Sequence, residues 1–359
     1  MAVGFPAKTT YANGDVFSAS DINDTNGTLN LAAGAQWAAG KNKIINGAFN
    51  IWQRGTSFAS AADSTYFADR FLTNWSAGGA TNTFSRQTFT AGTAPVAGYE
   101  SQYFARLAAT GATGTTQIGI GQRVEDVRTL AGSTVTFSFW AKADSARTLN
   151  YYIQQNFGSG GSATVTASGA ISAVTTSWAR YSVTVTLGAM TGKTIGTGSY
   201  VQFDIYAASQ SGSISIDIWG VQLEQASSAT AFQTATGTIQ GELAACQRYL
   251  PAIAGIYSPF FGYSPSANTT LVSVVYPVTA RVVPTGVTIS SASHFQILNA
   301  ATTAGTPTAI AFDSFNTGIN GAGLTVTSTV GSPTLVSGQG GYIRIVSSSG
   351  SILFTGCEL

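Results

Sequence analysis

Three features of the sequence predict an all-β chain: an antiparallel jelly-roll β-sandwich, then a smaller sandwich-like C-terminal β-domain, with an extended arm at the N-terminus. Apolar and polar residues alternate with period two in one segment after another. The stretches between them are rich in Gly, Ser and Thr, and helical spacing is confined to short places. At 359 residues, 44% hydrophobic and 11% aromatic, the chain can bury enough surface in two or three domains to offset the entropy of ordering it. Only 9% of residues are charged, against roughly 25% in ordinary globular domains. The surface must therefore be built from hydroxyls, amides and glycine.

Residues 1–40 hold few large apolar side chains and cannot form a core. Within "GDVFSASDINDTNGTLN", Ser18 or Ser20 can cap a short helix, with Asp21 favourable in its first turn. Such a segment is expected to dock onto something else.

Residues 41–232 read as strands. In "KNKIINGAFNIWQRGTSF", Ile44, Ile45 and Phe49 supply core from a first strand, and Asn46-Gly47 marks a turn. "STVTFSFWAK" sets Val135, Phe137 and Phe139 opposite Thr134, Thr136, Ser138 and Trp140. "RYSVTVTL", "YVQFDIYA" and "SISIDIWGVQLEQ" alternate in the same way, Gly220 permitting a bulge or bend. "QRVEDVRTLAGS" spaces Val124, Val127 and Leu130 by three and predicts one helical turn closing at Gly132.

Residues 233–359 begin with small polar residues and a short helix in "GELAACQRYL". Leu243, Cys246, Gln247 and Leu250 share its face, and Pro251 stops it. Beyond 252 the chain is again β-rich. In "GYIRIVSSSGSILFTG", Tyr342, Arg344 and Val346 oppose Ile343 and Ile345, while Pro277 and Pro284 impose an edge strand or a break earlier on.

With 16 basic and 15 acidic residues and no Lys/Arg run, nothing draws the chain to nucleic acid or an anionic membrane. Cys246 and Cys357 are too few for a disulfide framework and read as two free thiols. The N-terminus lacks an apolar signal segment, and no run approaches the roughly 18 apolar residues of a membrane span. A soluble chain made in a cytosol is expected.

Catalytic signals are sparse. His294 is the single histidine, no GxSxG elbow is present, and "GSGGS" is no phosphate loop. Glycan cleavage would need two carboxylates about 5–9.5 Å apart. The acids within the sandwich are Glu100, Glu125, Asp126, Asp204 and Asp217. Of these, Glu125 and Asp126 fall in the expected helical turn. Asp204 and Asp217 sit mid-strand, where they can satisfy backbone or tyrosine donors. The expectation is a non-enzyme with no cofactor and no metal ion.

Sugar recognition is better founded. "TLNYYIQQNFGSGG" places Tyr152, Gln154 and Asn156 on one face, opposite Tyr151, Ile153 and Gln155. Sugar C–H faces stack on aromatic rings, and amides exchange hydrogen bonds with hydroxyls. Trp75, Gln202 and Tyr206 join that face if their strands are neighbours; for Tyr152, packing in the core or against another subunit is an equal alternative. Trp52, Arg54 and Asp69 read as architectural, with Arg54 able to pair with Asp69. "GIYSPFFGYSPS" groups Tyr257, Phe260, Phe261 and Tyr263 in a stretch too apolar for free exposure. Burial between the subunits of a closed homotrimer is expected.

Taken in order, "NKIINGAFNIWQRGTSF", "YFADRFLTNWSAG", "GQRVEDVRTLAGSTVTFSFWAKAD", "IDIWGVQLEQASSATAF" and "ELAACQRYL" resemble a recurrent family of tailed-bacteriophage tail-fibre and receptor-binding proteins. The sandwich part is similar to jelly-roll carbohydrate-binding modules. The leader "YANGDVFSASDIN" is similar to segments by which fibre proteins attach to the virion. The resemblance implies a virion component in the tail or another external appendage. It would dock on tail or baseplate proteins through residues 1–40 and adhere to bacterial surface polysaccharide. A purely structural collar, head or baseplate fibre and a polysaccharide depolymerase are the rival readings.

Overall fold

The computed structural model describes residues 40–96, 99–256, 258–299, 304–329 and 335–359. The N-terminal arm expected over 1–40, apart from Gly40, lies outside them, as does Tyr257. The first domain contains β1 (Ser57–Ala59), β2 (Phe71–Ser76), β3 (Thr81–Thr88), β4 (Tyr103–Glu125), β5 (Thr134–Ala143), β6 (Arg147–Asn156), β7 (Val165–Val174), β8 (Ala179–Thr186) and β9 (Tyr200–Glu224). All pairings are antiparallel, and two strands organise them. The first halves and second halves of β4 and β9 lie in different layers. One layer runs β1-β3-β4-β9-β5-β8 through Tyr103–Thr110 and Ile214–Glu224; the other runs β2-β4-β9-β6-β7 through Gln117–Glu125 and Tyr200–Ala207. The crossover is marked by register shifts between Ala109 and Ile118, where Gly111, Gly114 and Gly212 adopt positive φ. Between the layers, Phe71, Phe84, Phe137, Phe139, Ile120 and Phe203 form the core, and the Phe137 and Phe203 rings meet at 4.4 Å. This is the expected jelly-roll sandwich.

Two local expectations are corrected. Residues 41–49 form no strand. Their buried Ile44 and Phe49 are fixed by side chains that imitate a ladder: Asn42 donates to Val221 and Gln233 carbonyls and accepts from Leu223 N–H, while the Gln122 amide pairs with both backbone groups of Ile45. Nor is there a helical turn after Gln122. Strand β4 continues to Glu125, and positive φ at Asp126, Leu130 and Gly132 makes the following segment a run of tight turns.

Helix α1 (Ile239–Gln247) is capped by Thr238, whose hydroxyl accepts from Gly241 N–H. It buries Glu242, Cys246 and Gln247, with Leu250 buried just beyond it; of the expected face only Leu243 is exposed, and Glu242 takes its place inside. The reason is polar: Glu242 takes the N–H groups of Asn46 and Thr236, tying the helix to the first domain.

The second domain has β10 (Ala252–Ala254), β11 (Pro259–Ser266), β12 (Thr269–Val275), β13 (Gly286–Ile289), β14 (Phe295–Asn299), β15 (Ala304–Gly305), β16 (Pro307–Asp313), β17 (Gly321–Ser328), β18 (Gly340–Ile345) and β19 (Ser351–Thr355). Its larger sheet runs β15-β14-β18-β11-β12-β17-β16, its smaller one β10-β19-β13. Pro277 and Pro284 lie in the break between β12 and β13. Ile343, Ile345, Ile352 and Phe354 build its core. After β19 the chain returns to the first domain, where Glu358 pairs with Arg54 and Arg70.

Candidate functional site

The outer face of the β2-β4-β9-β6-β7 layer is read off its register. Leu72 pairs with Gly121, Gly121 with Asp204 and Asp204 with Tyr152; Asn74 pairs with Gly119, Gly119 with Tyr206 and Tyr206 with Asn150; Arg123 pairs with Gln202 and Gln202 with Gln154. Cross-strand partners point the same way, so these side chains form one surface. A cleft of about 320 Å³ opens in it, lined by Asp63, Asn74, Gln117, Tyr152, Gln202 and Asp204 among others. Two glycines shape its floor. A Cβ on Gly121 would lie 2.4 Å from Asp204 Oδ1, and one on Gly119 2.4 Å from Tyr206 Cβ. Their bareness lets the carboxylate and the ring lean across β4.

Amides surround the buried Asp204. Asn74 Nδ2 donates to Oδ1 at 3.0 Å and Gln202 Nε2 to Oδ2 at 2.7 Å. Both amides also reach the Tyr152 hydroxyl, at 3.4 and 3.2 Å. Gln117 Nε2 donates to Asn74 Oδ1, and Arg123 Nε to Gln202 Oε1 at 2.9 Å. Burial pushes the Asp204 carboxyl up to about 7, against the pull of its amide and tyrosine donors and of Arg123. Burial, then the adjoining Asp204 charge, holds the Tyr152 phenol well above its ordinary range. Near neutral pH, then, the floor carries amide donors, a phenol and a carboxyl able to donate or accept. The Tyr152 and Tyr206 rings stand beside it, 5.9 Å apart and inclined at 55°. Such a surface suits a ligand with closely spaced hydroxyls and C–H faces.

The structure brings together Tyr152, Gln202, Tyr206 and Gln154 of the residues singled out in the sequence. Asn156 continues the same row but is engaged locally, accepting from Gly158 N–H and donating to Thr164. Trp75 points elsewhere: it pairs with Ile118 on the opposite face and packs against the main core, offering the cleft chiefly its N–H, which Asp63 accepts at 2.8 Å. Its neighbour Asn74 takes the place expected for it. Asn74, Gln117, Arg123 and Asp63 were not singled out, because only the strand register reveals that they converge.

The architectural group sits at the domain seam. Trp52 is buried, donating to the Phe49 carbonyl and meeting Phe67 edge-on. Arg54 Nη1 lies 3.8 Å from Asp69, and its Nη2 is 2.7 Å from Glu358. Asp69 accepts from Gln53 and is pushed up to about 6 by burial, against the nearby Arg54. In the second domain Phe260 faces that domain's own core and is thereby withdrawn from any subunit contact; Phe261 and Tyr263 are 67% and 52% exposed.

The remaining acids are dispersed. Glu125 binds Arg248 and Tyr249, Asp126 binds Arg128, and Asp217 binds Arg106 and Lys142. Glu100 accepts from Gly92 N–H. His294 Nδ1 faces Ser290 Oγ at 2.8 Å in an exposed turn. Cys246 and Cys357 are free and buried. Among the described residues, no group of His, Cys, Asp and Glu side chains could hold a metal ion, and no helix is long and apolar enough to cross a membrane.

Residues 59–218 match the model of a family described as a carbohydrate binding domain. Among solved structures, a carbohydrate-binding module of family 4 is 19% identical over 50% of this chain and 98% of its own, with a TM-score of 0.31. The xylan-binding domain of a Paenibacillus barcinonensis protein is 13% identical; the match covers 54% of this chain and all of that domain, with a TM-score of 0.28. The enzymatically active domain of bacteriophage CBA120 tailspike protein 4 is 14% identical over 52% of this chain, with a TM-score of 0.32; the match spans 22% of that structure. No curated protein matches the chain. Residues 59–218 are thus similar to a carbohydrate binding domain, and the cleft described above is lined by residues of that segment.

Proposed function

We propose that the chain is a phage virion fibre protein that adheres to bacterial surface polysaccharide through the outer face of the β2-β4-β9-β6-β7 layer. The observation that carries the reading is the amide-lined cleft around Asp204, flanked by Tyr152 and Tyr206, inside the segment matching a carbohydrate binding domain. Binding is non-covalent: rings take the C–H faces of a sugar and Asn74, Gln117 and Gln202 its hydroxyls. The N-terminal segment 1–40 docks the protein on other tail or baseplate proteins, in keeping with the fibre resemblance.

In this reading the protein works as a homotrimer, so that weak single sites add through avidity. Support comes from the second domain's larger sheet, where Phe261, Tyr263 and Val275 are exposed and the Tyr342 ring packs against Phe261 at 5.7 Å. A second copy covering this face would remove the apolar surface from water. Light scattering should give three times the chain mass of 36.9 kDa, and Phe261→Ser should dissociate it; a monomer at micromolar concentration would defeat the assembly.

For the glycan reading, arrays of bacterial capsular and lipopolysaccharide chains should show binding that Tyr152→Ala and Gln117→Ala weaken. A folded wild-type protein that ignores every bacterial glycan and fails to block infection would leave the rival structural fibre. The depolymerase reading has one observation in its favour: Asp63 and Asp204 line a single cleft, and Asp204 keeps its proton up to about pH 7. New reducing ends that disappear with Asp63→Asn and Asp204→Asn would establish it.

A further inference from the structure

One cleft-lining residue, Gln202, is linked through β4 to the other domain. Arg123, on the cleft face of β4, donates through Nε to Gln202 Oε1 at 2.9 Å and through Nη1 to the Leu359 main-chain oxygen at 2.5 Å. Tyr66 Oη donates to the same oxygen at 2.9 Å. One residue earlier, the Glu358 carboxylate lies between Arg70, which is almost wholly buried, and Arg54. Arg70 in turn donates through Nη2 to the Arg123 carbonyl at 2.6 Å and lies over the Tyr249 ring at 3.5 Å. From its own domain, Arg281 holds the segment by donating to the Cys357 and Glu358 carbonyls at 2.8 and 2.7 Å.

We infer that residues 357–359 belong to the glycan site as positioning residues. Docked in this cage, they fix Arg123, and Arg123 fixes Gln202 in the cleft lining. The chain of contacts is short and strongly directional. A guanidinium offers its donors in one rigid plane, so an Arg123 bonded to Leu359 can present Nε to Gln202 in few orientations. Gln202 Nε2 is the group that holds both Asp204 and the Tyr152 hydroxyl. Release of residues 357–359 would free Arg123 and loosen the cleft floor, though neither Cys357 nor Glu358 bonds a cleft-lining side chain. The coupling is reciprocal: glycan in the cleft strengthens docking of the second domain by the factor by which docking strengthens glycan binding.

This inference rests on the glycan reading, and its test separates the two. The full chain is compared with Arg281→Gln, Glu358→Gln and Arg123→Lys, each checked for wild-type-like thermal unfolding of the sandwich. The ligand-free readout is the NMR signals of the Gln202 and Asn74 side-chain amides. The binding readout is calorimetry with whichever purified capsular polysaccharide the wild type retains on an array.

Arg281→Gln, whose lost guanidinium bonds the Cys357 and Glu358 carbonyls, should shift the Gln202 amide signals and weaken glycan binding about tenfold. Adding it to Arg123→Lys should have little further effect, since both break one chain of contacts. Wild-type amide signals and affinity in both Arg281→Gln and Glu358→Gln would overturn the proposal. If Glu358→Gln destabilises the sandwich, Arg281→Gln decides alone. If the wild type binds no polysaccharide the glycan reading falls, and unshifted Gln202 signals in Arg281→Gln would then sink the coupling independently.

Discussion

The sandwich has two outer faces, and they are finished in opposite ways. Over the layer containing β5 and β8, the loops around Phe89 and Phe232 fold back onto Trp140 and Trp219, sealing the surface with a second aromatic cluster. Trp219 is completely buried there, its indole N–H donating to Ser101 at 2.6 Å. Over the layer containing β2 and β6 no such aromatic seal forms among the described residues, and the comparable rows carry Asn74, Gln117, Gln202 and two tyrosine rings. What differs is whether the rings pack into a closed cluster or stand beside a hydrogen-bonded set of amides at an open cleft, which makes one face core and suits the other to a ligand.

The sharpest way to break this contrast is to damage the sealed face. Trp219→Ala should cost about 3–5 kcal/mol of stability, as deletion of a large buried aromatic does, read as a lower urea midpoint. A small effect would mean that the cluster is not core.

Next in size is the pH dependence set by two buried carboxyls, Asp204 on the open face and Asp69 at the domain seam. Asp69 and Asp204 keep their protons up to about 6 and about 7, above the ordinary carboxyl value of 3.8. The native chain therefore binds more protons than the unfolded chain in that window. Stability should be greatest on its acid side and fall as pH rises through the two folded values. Asp204→Asn should flatten the decline between about pH 6 and 7, where Asp204 alone of the pair still titrates. Urea titrations across the window test this, and a stability that climbs with pH would contradict it.

The smallest expected change in stability belongs to Tyr206→Ala. Its ring is half-buried at the cleft rim, so unfolding should shift by only about 1 kcal/mol. Glycan affinity should nevertheless fall about tenfold, because stacking of a sugar C–H face on a ring is worth on the order of an aromatic contact.

Much of this contrast was legible in the sequence, but unevenly. Period-two alternation identified Val135, Phe137 and Phe139 as inward-facing and set Tyr152 with Gln154 on one side of β6. It failed in β2, where Phe71, Leu72, Thr73 and Asn74 are all buried; with both sides covered, alternation cannot say whether Asn74 or Trp75 meets the cleft. It failed again in 41–49, whose order comes from Asn42 and Gln122 reaching partners far along the chain. The turn after β4 was misread because left-handed φ at Asp126 and Leu130 leaves no trace in residue spacing. The role of Arg70 was invisible for a simpler reason: its partner Glu358 is 288 residues away.

The crossing of β4 and β9 from one layer to the other has a mechanical consequence. Since the same two strands are hydrogen-bonded to each other on both sides of the fold, neither leaf can be peeled off while its neighbour stays intact. A tug on either leaf is borne by the same strand pair, shifted in register at the crossover, so the sandwich should yield in a single rupture, and the slowest amide protons of both leaves should report one common opening free energy.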